Sequence, residues 1–99
     1  MIMLKSPREI DLLREAGLIV SEALELMRES ARPGVSTAEL DAIAEDHIRS
    51  RGAEPAFKGY RVPGVRFPYP ATICASVNEE VVHGIPGDRN LVDGDIISI

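Results

Sequence analysis

Apolar residues recur at three- and four-residue steps through Ile10, Leu13, Gly17, Val20, Leu24 and Met27. Leu12, Ala16, Ile19, Ala23 and Leu26 widen that face, and Asp11, Arg14, Glu15, Glu22, Glu25 and Glu29 fill the remainder. This period predicts an amphipathic helix of about six turns with a broad buried side. Its start is written in Ser6-Pro7-Arg8-Glu9, a capping box with proline at the first helical position. Arg32-Pro33-Gly34 ends it. Ser36-Thr37-Ala38-Glu39 repeats the capping logic and opens a second helix with an apolar stripe of Leu40, Ile43, Ala44 and Ile48. His47 lies beside that stripe and reads as a partly buried helix residue. Arg49, Arg51 and Gly52 suit the C-terminal end.

After Ala53 the helical period stops. β-Branched and small residues predict strands near 54–57, 72–77, 80–83 and 95–99. The proline in Glu54-Pro55-Ala56-Phe57 demotes the first to an edge strand. Between the first two, residues 61–70 carry three prolines and a glycine, which excludes a regular helix or a central strand. Phe57, Tyr60, Phe67 and Tyr69 are all the aromatic residues of the chain, and they concentrate here. Two readings stand: the aromatics line an apolar pocket, or they lid the core. Val81-Val82 then runs into His83-Gly84-Ile85-Pro86-Gly87, which places His83 on a turn. Val92-Asp93-Gly94-Asp95 predicts a tight bend into the run Ile96-Ile97-Ser98-Ile99.

Composition narrows the class. The sequence has 99 residues, 44% of them hydrophobic, which suits one small domain with a modest core and argues against disorder. No apolar stretch is long enough to cross a membrane, and the first residues lack the apolar run of a signal peptide. Cys74 is the single cysteine, so no internal disulfide and no cysteine-based metal cluster forms, and a reducing, cytoplasmic setting is expected. Sixteen acidic against eleven basic residues give a net charge of −5 and no basic run, which argues against a broad nucleic-acid surface.

The polar residues near the histidine turn are Cys74, Ser76, Asn78, Glu79, Glu80, His83 and Asp88. A Cys74–His83 nucleophile–base pair is disfavoured, because Cys74 lies in a strand-like run with no helix N-terminus to lower its pKa. Ser76 is in no nucleophile elbow. Glu79, Glu80 and His83 are ligand types, but their spacing is not that of a zinc helix and no second histidine is near. The glycines at 84, 87 and 94 lack nucleotide-loop spacing. What remains is one histidine held on a turn, able to donate a hydrogen bond to a bound ligand.

Three stretches carry a family resemblance: Ala56-Phe57-Lys58-Gly59-Tyr60, the run from Ser76 to Pro86 (SVNEEVVHGIP), and Asp93-Gly94-Asp95-Ile96-Ile97. Together, and with both helices, they resemble the N-terminal half of a type I methionine aminopeptidase. Proline-specific aminopeptidases and creatine-cleaving enzymes share the wider fold group but resemble this string less. The resemblance implies an α+β fold, the N-terminal half of a pita-bread architecture, with helices packed on a curved, mainly antiparallel sheet. It implies that residues 1–99 are part of a single catalytic domain, ending before its metal ligands. Those ligands, in the family, are two aspartates, a histidine and two glutamates holding two divalent ions (Co, Mn, Fe, Zn or Ni). The segment alone is then expected to hold no metal and to be inactive.

In the complete enzyme the resemblance implies removal of initiator methionine from peptides and nascent proteins. His83 matches the histidine that contacts the scissile peptide. Tyr60, Tyr69 and Cys74 match positions lining the methionine pocket, with Phe57 beside them. Tyr69 matches across a gap, since Arg61–Pro68 is longer than the common bacterial pattern. The partners implied are peptides with N-terminal methionine and, by way of nascent chains, the vicinity of the ribosome. No membrane and no specific nucleic acid is implied, and the complete enzyme is expected to be monomeric. The alternative to an enzyme is a non-catalytic peptide-binding module.

Overall fold

The computed structural model describes residues 1–99. Helix α1 spans Pro7–Ser30 and helix α2 spans Thr37–Ser50. Both capping boxes form as the sequence predicts: Ser6 and Glu9 exchange side-chain and backbone hydrogen bonds, and so do Ser36 and Glu39. Pro33-Gly34 makes the break between them, with Gly34 at φ +95 and Val35 N–H bonded to the Arg32 carbonyl at 3.1 Å. At the end of α2, Gly52 N–H donates to Arg49 and Ala53 N–H donates to Ile48, a Schellman closure around Gly52 at φ +74.

The two helices are tied by Glu22 of α1. Its carboxylate meets His47 Nε2 at 2.8 Å and the Arg51 guanidinium. His47 is thus the partly buried helix residue expected. Ala23, Met27, Leu40 and Ala44 of the helices pack with Ile73, Ala75, Val77 and Leu91 in one core. The sheet beneath them is small. Strand β1 (Ser76–Val77) pairs antiparallel with β2 (Ile97–Ser98), in the register Ser76 to Ser98 and Val77 to Ile97.

The predicted strands are longer than those observed, and the hydrogen bonds show why. Residues 54–57 form no strand; they run from the α2 cap into a turn closed by Tyr60 N–H on the Phe57 carbonyl. Within 72–77 only the last two residues enter the sheet. The N–H groups of Thr72 and Ile73 donate instead to the Asp41 carboxylate, at 2.8 and 2.9 Å. Residues 80–83 are not a strand either: Glu80 N–H closes a turn on the Val77 carbonyl, the bond to Ala75 N–H comes only at the Gly84 carbonyl, and His83 has φ +58, outside the strand range. In 95–99 only Ile97 and Ser98 are paired.

The broad buried side expected of α1 is also corrected. Only Ala23 and Met27 are buried, while Ile10, Leu13, Leu18, Val20 and Leu24 are exposed. Burial needs a partner surface, and the shorter α2 covers only the C-terminal part of the stripe.

The ion pairs give the fold an acid limit. Arg51, then His47, hold the Glu22 carboxyl below its usual range; Lys58, then Arg49, do so for Glu45; the Val92 amide, then Asn78, do so for Asp95. A folded pKa below the unfolded one favours the native state above the unfolded value and loses that contribution as pH falls through the folded one. Thermal midpoints measured from pH 7 to pH 3 are expected to hold to about pH 5 and to fall below about pH 4.5.

Candidate active site

The His83 turn is pinned at both ends. At its start Gly84 is buried, with its N–H on the Ser76 hydroxyl at 3.0 Å and its carbonyl accepting from Ala75 N–H at 2.8 Å. At its end Gly87 docks on the first turn of α2. The Thr37 hydroxyl accepts from Gly87 N–H at 2.9 Å and donates to the Gly87 carbonyl at 3.2 Å, which also accepts from Ala38 N–H. Beyond it, Thr37 N–H reaches the Arg89 carbonyl, and Leu91 exchanges backbone bonds with Gly34 and Val35. The first turn of α2 is therefore the bed on which the end of the histidine turn lies, and the link before it holds the segment that follows. His83 itself is exposed and left-handed, a conformation in which histidine is among the better-tolerated residues. Such local strain at a residue facing solvent is retained where neighbours fix the backbone.

The approach to that turn is built by Asn78 and Tyr69. Asn78, at φ +52, bonds Ile96 through both N–H and Oδ1 and donates to Asp95 at 2.8 Å, which locks the bend after β1 to the entry of β2. The Tyr69 hydroxyl donates to the Ile73 carbonyl at 2.7 Å and lies 3.4 Å from the Gly84 carbonyl. Burial, then the neighbouring Cys74 thiol, push the Tyr69 hydroxyl up, so it remains a neutral donor at physiological pH. Phe57 meets Tyr69 edge to face, with ring centroids 6.3 Å apart.

The structure thus brings Phe57, Tyr69 and Cys74 together and joins them, through Gly84, to the residue next to His83. Tyr60 shares backbone contact with Tyr69, but its side chain is 63% exposed and stands outside the cluster. A groove of about 440 Å³ opens between α1, α2 and residues 53–57, sharing Phe57 and Cys74 with that cluster and having Ile99 on its wall. It lacks His83, Tyr60 and Tyr69, and fourteen of its seventeen lining residues are apolar. Its polar lining brings no reactive groups together.

Two residues that the pattern alone passed over hold this arrangement: Thr37 under Gly87, and Asp41 under Thr72 and Ile73. Replacing Asp41 with alanine removes the acceptor of two amides, both on buried residues, Thr72 and Ile73. This is expected to destabilise the protein by about 3 kcal/mol in urea unfolding, with Asp41→Asn, which keeps one oxygen, costing less.

No group of three or more histidine, cysteine, aspartate or glutamate side chains is placed to hold a metal ion. The residues of this chain therefore do not fit a metal centre of their own.

Comparison with known proteins decides the lineage. The model of metallopeptidase family M24 matches residues 11–99. The chain belongs to this metallopeptidase family. Within the family it is 52% identical to a methionine aminopeptidase of Clostridium perfringens and 56% identical to methionine aminopeptidase 1 of Bacillus subtilis, each match covering 100% of this chain. It spans 37% and 38%, respectively, of the lengths of those relatives. Among solved structures, a methionine aminopeptidase of Thermotoga maritima superposes with a TM-score of 0.88 at 37% identity, covering 98% of this chain and 37% of that one. One from Rickettsia prowazekii gives 0.87 at 33% identity over the same shares. Likeness of this degree shows an N-terminal portion of the metallopeptidase fold of the type I methionine aminopeptidases, the pita-bread α+β architecture, and bears out the resemblance read from the three motifs.

Proposed function

We propose that residues 1–99 form the N-terminal part of one methionine aminopeptidase catalytic domain, and that they supply its substrate-facing wall. The observation that carries this is His83, exposed on a turn fixed at Gly84 and Gly87 and joined through Tyr69 to Phe57 and Cys74. In the full-length enzyme, Phe57, Tyr69 and Cys74, with Tyr60 at the rim, contact the methionine side chain. His83 donates a hydrogen bond to the scissile peptide group, and this bond strengthens as charge grows on the carbonyl oxygen. Divalent ions (two, from among Co, Mn, Fe, Zn and Ni) are held by residues outside this chain. The reaction is metal-dependent removal of N-terminal methionine in a cytoplasmic setting near the ribosome, by a monomer. No helix here is long and apolar enough to cross a membrane.

The test is peptide cleavage by the full-length protein loaded with Mn²⁺ or Co²⁺. Release of methionine from Met-Ala-type peptides, with X-Pro peptides uncut, is the expected result. Preference for X-Pro peptides assigns the protein to the proline-specific branch. Saturable binding of Met-Ala-type peptides without turnover assigns it to a non-catalytic module. The 99-residue segment, lacking a donor cluster, is expected to be inactive in the same assay.

A further inference from the structure

The loop from Tyr60 to Tyr69 carries chemistry that the reading above leaves unused. Its ends are closed: Tyr69 N–H donates to the Tyr60 carbonyl and Gly59 N–H to the Tyr69 carbonyl, each at 2.8 Å. At its tip Val65 N–H bonds the Val62 carbonyl at 3.0 Å across Pro63-Gly64, with Gly64 at φ +83. A proline–glycine turn of this kind has few alternative conformations, so the loop is exposed yet stiff.

Its charge is opposite to that of the whole. No acidic residue occurs between Glu54 and Glu79, in a chain of net charge −5. Lys58 is engaged with Glu45 at 2.6 Å, while Arg61 and Arg66 enter none of the ion pairs of the chain. The Arg66 guanidinium lies 5.1 Å from the centroid of the Phe67 ring, which orients the cation without neutralising it. Phe67 is itself 69% exposed.

The loop joins the His83 turn at Tyr69, whose hydroxyl lies 3.4 Å from the Gly84 carbonyl. Arg61, Phe67 and Arg66 lie one to three residues from that closed base, at most about 10 Å along the chain, and an arginine side chain adds about 6 Å. An extended peptide advances about 3.3 Å per residue. The arginine heads therefore reach no farther than about the fifth residue of an extended peptide whose first bond lies at His83.

We propose that Arg61, Arg66 and Phe67 form a secondary subsite that recognises acidic residues at about the third to fifth position of a peptide substrate. This assignment rests on the aminopeptidase reading of the His83 turn. Nucleic acid is the less fitting partner, since its binders neutralise about six to ten phosphates and only two cations are free here.

The experiment uses the full-length, metal-loaded enzyme and two peptides, Met-Ala-Ser-Glu-Glu and Met-Ala-Ser-Gln-Gln. The expected result is a kcat/KM about fivefold higher for the acidic peptide, carried by KM, as two exposed ion pairs would give. The ratio should fall toward one in Arg61→Gln/Arg66→Gln, persist in Arg61→Lys/Arg66→Lys, and fall in the parent at high salt. Each ratio is taken within one sample, so a loss of folded enzyme cancels, and the salt series tests the proposal without any variant. A parent that cleaves both peptides equally overturns the subsite and leaves the aminopeptidase standing. A parent that cleaves neither overturns the aminopeptidase reading itself. A ratio unmoved by removing both arginines, or a ten-nucleotide oligo(dT) held more tightly than the acidic peptide, also overturns the subsite.

Discussion

In the full-length enzyme, His83→Ala is expected to lower kcat by about a hundred- to a thousand-fold, the usual cost of removing one preorganised donor to a developing oxyanion. Metal content should be retained, because the proposed role places His83 against the peptide group and not among the metal ligands. In the proposed role the donor would act chiefly on the transition state, where the carbonyl oxygen carries most charge, so KM should change little compared with kcat. Parent and variant are compared on a Met-Ala-type peptide with metal measured separately. A tenfold loss with full metal already supports the role. Unchanged turnover, or recovery in excess metal, would move His83 to a supporting position.

Gly84→Ala should be nearly as damaging, for a purely steric reason. A Cβ there would lie 2.2 Å from the Ala75 carbonyl oxygen and 2.9 Å from Glu80 Oε2. The first obstacle is backbone and cannot swing aside. Relief requires Gly84 to retreat from Ala75 and Ser76, which breaks both of its short hydrogen bonds and moves the neighbouring His83. We expect about 3 kcal/mol of lost stability and a fall in kcat/KM of more than tenfold. Gly87→Ala is the matched control: its Cβ would approach nothing closer than 4.0 Å. Equal thermal midpoints and equal kcat/KM in the two alanine variants would refute the close-approach account.

Those two glycines show where sequence reading stops. Both mark a turn in the sequence, yet neither has a positive φ, and Gly84 is required by contact with a residue nine positions earlier in the chain. The helices were legible because their signals are local: Ser6 with Glu9 and Ser36 with Glu39 act within one turn. Strand lengths were not, because the amides of Thr72 and Ile73 found Asp41, a helix residue that a periodicity pattern assigns to the solvent side. In the same way His83 stood out as the one histidine on a Gly/Pro turn, while Thr37, which fixes that turn, is 50 positions away from Gly87. The stripe of α1 was read correctly as apolar, but no pattern within a helix says whether a partner covers it.

That uncovered stripe has a consequence in area. A chain of 10.8 kDa exposes about 5,500 Å² when fully compact, and this one exposes 7453 Å². The surplus is more than twice the roughly 800 Å² that each partner contributes to a standard interface. Where part of that surplus is the apolar stripe of α1, association by mass action is favoured, and the thermal midpoint of the 99-residue chain alone is expected to rise with its own concentration.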